Sequence, residues 1–97
     1  MGRGLSFHQK KILSFVLKER IARCEDLLSL WGVQPGAVVD KGKYDSAHSA
    51  LSRSLTRLFL RGFITYWQDK LTHYRTAVTL TEAGKSMAQS IILDDEE

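Results

Sequence analysis

Cysteine is almost missing from this chain. The 97 residues include one, Cys24, so no internal disulfide can form and the reducing cytoplasm is the expected compartment. Long apolar runs are missing as well. No window approaches the roughly 18 consecutive apolar residues of a membrane helix, and no apolar signal segment is visible, so no membrane partner is expected. Spacings that carry chemistry are equally scarce. His8, His48, His73 and Cys24 show neither C-x-x-C nor H-x-x-x-H spacing, which argues against a metal site. There is no P-loop, no G-x-S-x-G and no carboxylate pair in a pocket-forming segment, so the chain does not read as an enzyme and no cofactor is expected.

What is present fits one small domain, residues 1–93, followed by an acidic tail at 94–97. The formal charge of +3 understates the basic character of the body, because Asp94, Asp95, Glu96 and Glu97 hold four of the eleven acids. Without them, fourteen basic residues against seven acidic ones leave +7. Lys41, Lys43, Arg53, Arg57, Arg61, Lys70 and Arg75 face only Asp45 and Asp69 between positions 41 and 75, a local +5. Cations gathered in this way suit a polyanion, since each neutralised phosphate releases counterions.

The stretch Tyr44 to Ile64 organises the rest. Ala47, Leu51, Leu55 and Leu58 recur at helical spacing and form a stripe that must face a core. Roughly opposite, at about 100° per residue, lie Ser49, Arg53, Thr56 and Leu60, flanked by Ser46, Ser52 and Arg57. Short side chains let a helix backbone approach the floor of the DNA major groove, and an Arg fork matches guanine O6 and N7. A merely solvated face can carry the same residues, so the helix taken alone leaves both readings open. After Arg61 and a capping Gly62 the period changes from helical to alternating. Phe63 to Trp67 and Tyr74 to Leu80 then read as two strands around a polar turn, Gln68 to His73.

Upstream, Met1 to Ser6 carries the M-G-x-x-x-S acylation pattern, but Ser6 with Gln9 also makes S-x-x-Q, a capping box for a helix ending near Glu19. Ile12, Leu13, Val16 and Leu17 form its apolar stripe. Glu25 to Trp31 is a second short helix stopped by Gly32, with Cys24 at its start; a redox role for that thiol and plain packing are both open. Downstream, Thr81 caps a final helix whose Ala83, Met87, Ala88, Ile91 and Ile92 form an apolar ridge.

This order, with LSRSLTRLFLRGFI followed by VTLTEAGK, resembles winged helix-turn-helix regulators of the MarR/PadR type over nearly the whole chain. The resemblance implies an α+β, mainly α fold: a three-helix core, a β-hairpin wing and a C-terminal helix. It also implies a short strand near Ile21 and Ala22 that pairs with the wing. The implied function is sequence-specific binding of double-stranded DNA. A recognition helix at about 45–61 would enter the major groove, and a wing at about 63–80 would lie on the backbone or in the minor groove. Ser49, Ser52 and Arg53 would face base edges, with Arg57, Lys41 and Lys43 on phosphates and Lys70, His73 and Arg75 at the wing. Tyr66, Trp67 and Tyr74 either stack on bases or stiffen the hairpin. Regulators of this type pair through helices outside the reading unit, so Met87, Ile91 and Ile92 are the expected homodimer contact, the alternative being that this ridge packs on Ile12 and Val16 of the first helix within one chain. The chain departs from the pattern between Gly32 and Tyr44, where VQPGAVVDKGK is longer than a compact helix-turn-helix joint. Asp40 to Lys43 is read there as a flexible basic entry to the main helix. A winged helix that serves only as a protein-interaction adaptor remains the alternative.

Overall fold

The computed structural model describes residues 5–34, 38–71 and 75–95. Helix α1 (Phe7–Glu19) begins at the capping box: Gln9 N–H donates to Ser6 Oγ at 3.2 Å, and Ser6 N–H donates to Gln9 Oε1 at 3.0 Å. Two amides that a helix start leaves unpaired are thereby satisfied, and Gln9 can be buried because its carbonyl has a partner. Ile12, Leu13 and Val16 turn inward as their spacing requires.

The chain leaves α1 through a single residue. Arg20 has φ 70 and ψ −51, and its N–H donates to Val16 O at 2.7 Å. This is the tight left-handed conformation of a γ-turn, which costs a residue with a Cβ on the order of 1 kcal/mol or more. Arg20→Gly is therefore expected to raise stability by about 1 kcal/mol, read as a higher urea midpoint at unchanged slope. An unchanged or lower midpoint would mean that contacts of the Arg20 side chain outweigh the strain.

Strand β1 (Ile21–Arg23) follows at once and leads into α2 (Cys24–Leu27), whose second half tightens into a 3-10 turn over Leu28–Trp31. One helix was expected over Glu25 to Trp31. Its second half tightens where the Ser29 hydroxyl donates to Asp26 O at 2.7 Å, occupying a carbonyl that α-helical pairing would use. Gly32, at φ 83, closes the turn. Cys24 is half-buried against the core.

Helix α3 (Lys41–Leu60) starts three residues before Tyr44, where the sequence reading placed it. Asp40 is the reason: its Oδ2 accepts from Lys43 N at 3.3 Å and its carbonyl accepts from Tyr44 N at 3.0 Å. Residues 41–43 are thus the first turn of the helix and not a flexible entry to it. Ala47, Leu51, Leu55 and Leu58 are buried as expected.

Strands β2 (Ile64–Gln68) and β3 (Arg75–Leu80) form the hairpin, and β1 pairs with the far edge of β3, giving the sheet order β1-β3-β2. The registers Ala22↔Val78 and Tyr66↔Val78 line Ala22, Val78 and Tyr66 across one face. Ala22 and Val78 are fully enclosed there, and the ladder is irregular between Trp67 and Gln68. The strand that the resemblance implied at Ile21 and Ala22 is thus present.

Helix α4 (Glu82–Asp95) is capped by Thr81, whose hydroxyl accepts from Gly84 N at 3.0 Å and donates to Gly62 O at 2.6 Å. It packs on α1, and its inward row is Gly84, Ala88 and Ile91, not the ridge from Ala83. Ala83 is exposed, while Met87 and Ile92 are half-buried. Ile91 was expected at a two-fold interface; it is only 4% exposed and belongs to the core cluster with Ile12, Leu13 and Val16. The expected ridge shares Ala88 and Ile91 with this row but began at Ala83 and left out Gly84, because a glycine carries no hydropathic signal. The helix also continues through Asp95, past Leu93, where the acidic tail was expected to begin. Among the described residues no helix is long and apolar enough to cross a membrane.

Candidate nucleic-acid interface

The side of α3 turned away from the core carries the residues that the sequence singled out. Ser49, Arg53 and Arg57 are exposed, and Ser52 and Thr56 are half-buried beside them. Arg53 follows Ser49 by one turn and Arg57 follows Arg53 by another, so a small hydroxyl and two guanidinium groups line one side of the helix. Among the described residues neither arginine is held in an ion pair; the pairs found there are Arg23 with Glu25 at 3.6 Å and Lys85 with Glu82 at 3.4 Å.

Lys41 and Lys43 share the first turn of α3 but diverge. A Cβ built on Gly32 would stand 3.6 Å from Lys43 Nζ, so Lys43 reaches back over the end of the 3-10 turn, where carbonyls lacking helical partners favour a cation. Lys70 is exposed in the hairpin turn, next to an Asx turn in which Leu71 N donates to Asp69 Oδ1 at 2.8 Å. His73 and Tyr74 lie outside the described residues; Arg75 lies on β3, with its side chain outside them.

The fold also brings together residues that lie far apart in the chain. A cleft of about 790 Å³ separates the N-terminal half of α3 from β3 and the end of β1. Tyr44, Asp45, His48 and Ser49 form one wall, with Arg23 and Thr76 across from them. The Tyr44 and His48 rings stack with centroids 6.0 Å apart. That pair was legible at spacing i, i+4, whereas Arg23 reaches the cleft only because β1 pairs with β3. At the far end of α3, Phe59 meets Tyr66 edge-to-face at 5.1 Å and ties the helix to β2, so Tyr66 acts as packing. Trp67 points away and stays about half exposed, at 51%. Among the described residues no group of three His, Cys, Asp or Glu side chains is placed to hold a metal ion.

No protein-family model matches this chain, and no curated protein matches it in sequence. Its three-dimensional arrangement is nevertheless shared. The adhesin competence repressor AdcR from Streptococcus pyogenes superposes with a TM-score of 0.67 at 17% identity, over 98% of this chain. The fold is the winged helix of MarR-type regulators. A ZitR mutant from Lactococcus lactis matches this winged helix at TM-score 0.67 and 18% identity, over 99% of this chain and 56% of ZitR. A mutant MarR from E. coli complexed with operator DNA matches at 0.63 and 19%, over 93% of this chain and 55% of MarR. The chain spans 60% of the length of AdcR, so this winged helix corresponds to about three-fifths of that repressor.

Proposed function

We propose that this winged helix binds double-stranded DNA as a small transcriptional regulator, with α3 in the major groove and the β2–β3 wing on the backbone or in the minor groove. The observation that carries the reading is the exposed row of Ser49, Arg53 and Arg57 on a helix whose opposite stripe is wholly buried. Ser49, Ser52 and Arg53 face base edges; Lys41, Lys43 and Arg57 serve phosphates; Lys70, His73 and Arg75 make the wing contact. The operator-bound MarR of the same fold supports this arrangement. Binding to random duplex should fall steeply with salt, with log K linear in log salt. Absence of any duplex shift at low salt would remove the reading and favour the adaptor, for which Leu60, 77% exposed, would be a natural contact.

Within this reading the arginines of α3 separate by role. Arg53→Ala is expected to cost about 1 to 3 kcal/mol on the preferred site and to flatten base preference at one position. Arg57→Ala or Lys70→Ala should weaken all sequences alike and lower the salt slope by about 1. Titrations on selected and random duplexes check this, and equal losses on both for Arg53→Ala would take it out of the reading role. A homodimer formed through α4 has Met87, Ile92 and the 63%-exposed Leu93 available to it, not Ile91.

A further inference from the structure

Asp45 is the only acid among the twenty residues of α3, on a helix that also carries Lys41, Lys43, Arg53 and Arg57. No structural duty accounts for it. The first turn of α3, where a carboxylate would complement the helix dipole, contains no acid, and Asp40 already caps the start. Asp45 is exposed, and among the described residues its carboxylate makes no hydrogen bond and no ion pair. It lies on the side of α3 that carries Ser49, one turn further on, and it lines the cleft toward β3 together with Ser49 and His48. A free carboxylate there repels phosphates and weakens every non-specific encounter with DNA.

Resting on the DNA-binding reading above, we infer that Asp45 is a specificity residue that accepts a hydrogen bond from the exocyclic amine of a cytosine in the major groove. An ionised carboxylate only accepts, so it must meet a donor. The major-groove donors are cytosine N4 and adenine N6, and adenine sets the acceptor N7 beside its amine, which repels a second lone-pair group. Cytosine has no acceptor beside its amine on that edge. The same charge that recognises cytosine penalises guanine and thymine, whose groove edges offer acceptors and no donor, so one residue supplies both attraction and exclusion. Asp45 precedes Arg53 by eight residues, about 12 Å along the helix axis at 1.5 Å per residue. With base pairs about 3.4 Å apart, the cytosine falls about 3 to 4 base pairs from the guanine read by Arg53.

The test is selection from random duplexes with the whole chain, wild type and Asp45→Ala, followed by titration on the selected site and on a random duplex. Wild type should enrich cytosine at one position about 3 to 4 base pairs from the guanine whose enrichment is lost in Arg53→Ala. Asp45→Ala should flatten that cytosine position alone, weaken the selected site about tenfold and tighten the random duplex several-fold at low salt. A pyrimidinone nucleotide lacking the exocyclic amine, placed at that position, should cost wild type the same factor and cost Asp45→Ala nothing. If Asp45→Ala tightens selected and random duplexes equally and every base preference persists, the residue is a repulsive surface charge and the inference fails while the DNA-binding reading stands. Failure of wild type to bind any duplex at low salt would instead remove the reading, and the inference with it.

Discussion

Gly84→Ala is expected to destabilise this protein by about 3 kcal/mol or more, although the same exchange in an open helix gains about 1 kcal/mol. A Cβ at Gly84 would stand 1.8 Å from the carbonyl oxygen of Phe63, deep inside van der Waals contact and against backbone that has no rotamer to yield. That carbonyl accepts from Thr81 N at 3.0 Å, and the Thr81 hydroxyl donates to Gly62 O at 2.6 Å, so pushing Phe63 away strains the lock between α4 and the entry to β2. The wing begins at that entry, and the variant should also shift the wing against α3. Gly62→Ala is the control: Gly62 has φ 80 but nothing within 4 Å of an added Cβ, so only backbone strain of about 1 kcal/mol applies. Urea unfolding of both variants separates steric contact from strain. A neutral or stabilised Gly84→Ala would mean that α4 does not approach Phe63 this closely.

Ile91→Asp should lose about 3 to 5 kcal/mol and unfold at temperatures the wild type withstands, because it places an unpaired charge among Ile12, Leu13 and Val16. Leu93→Asp, on the same helix but 63% exposed, should leave the melting temperature nearly unchanged. If α4 also pairs two copies, sedimentation equilibrium should show Leu93→Asp weakening the dimer while the monomer stays folded. Ile91→Asp would unfold in either case and says nothing about pairing. A folded, merely dissociated Ile91→Asp would contradict the burial of this side chain in the monomer.

Much of the architecture was legible from periodicity, and the residues that misled show where such reading stops. The buried stripe Ala47, Leu51, Leu55 and Leu58 followed from spacing because a helix fixes which residues share a face. The capping box at Ser6 and the cap at Thr81 followed from local chemistry, since both bonds close within three residues. Asp40 caps by the same chemistry, yet its place in a charged, polar run hid it and with it the first turn of α3. The inward row of α4 depended on Gly84, which enters the core because it has no side chain; hydropathy cannot register a residue chosen for a backbone contact.

What the sequence by itself determined was therefore local and periodic: element order, the outward face of α3 with Ser49 and Arg53, and the cations around it. Only tertiary structure decided which apolar residues a monomer consumes, since Ile91 and Ile92 have similar hydropathy and differ in whether α1 lies over them. Tertiary structure also built the cleft, because Arg23 and Thr76 stand far from Asp45 and Ser49 in the chain and meet them only through the pairing of β1 with β3. A residue's own neighbours set caps and faces over distances of one helical turn, whereas enclosure and clefts are properties of surfaces brought together by strand pairing and helix packing.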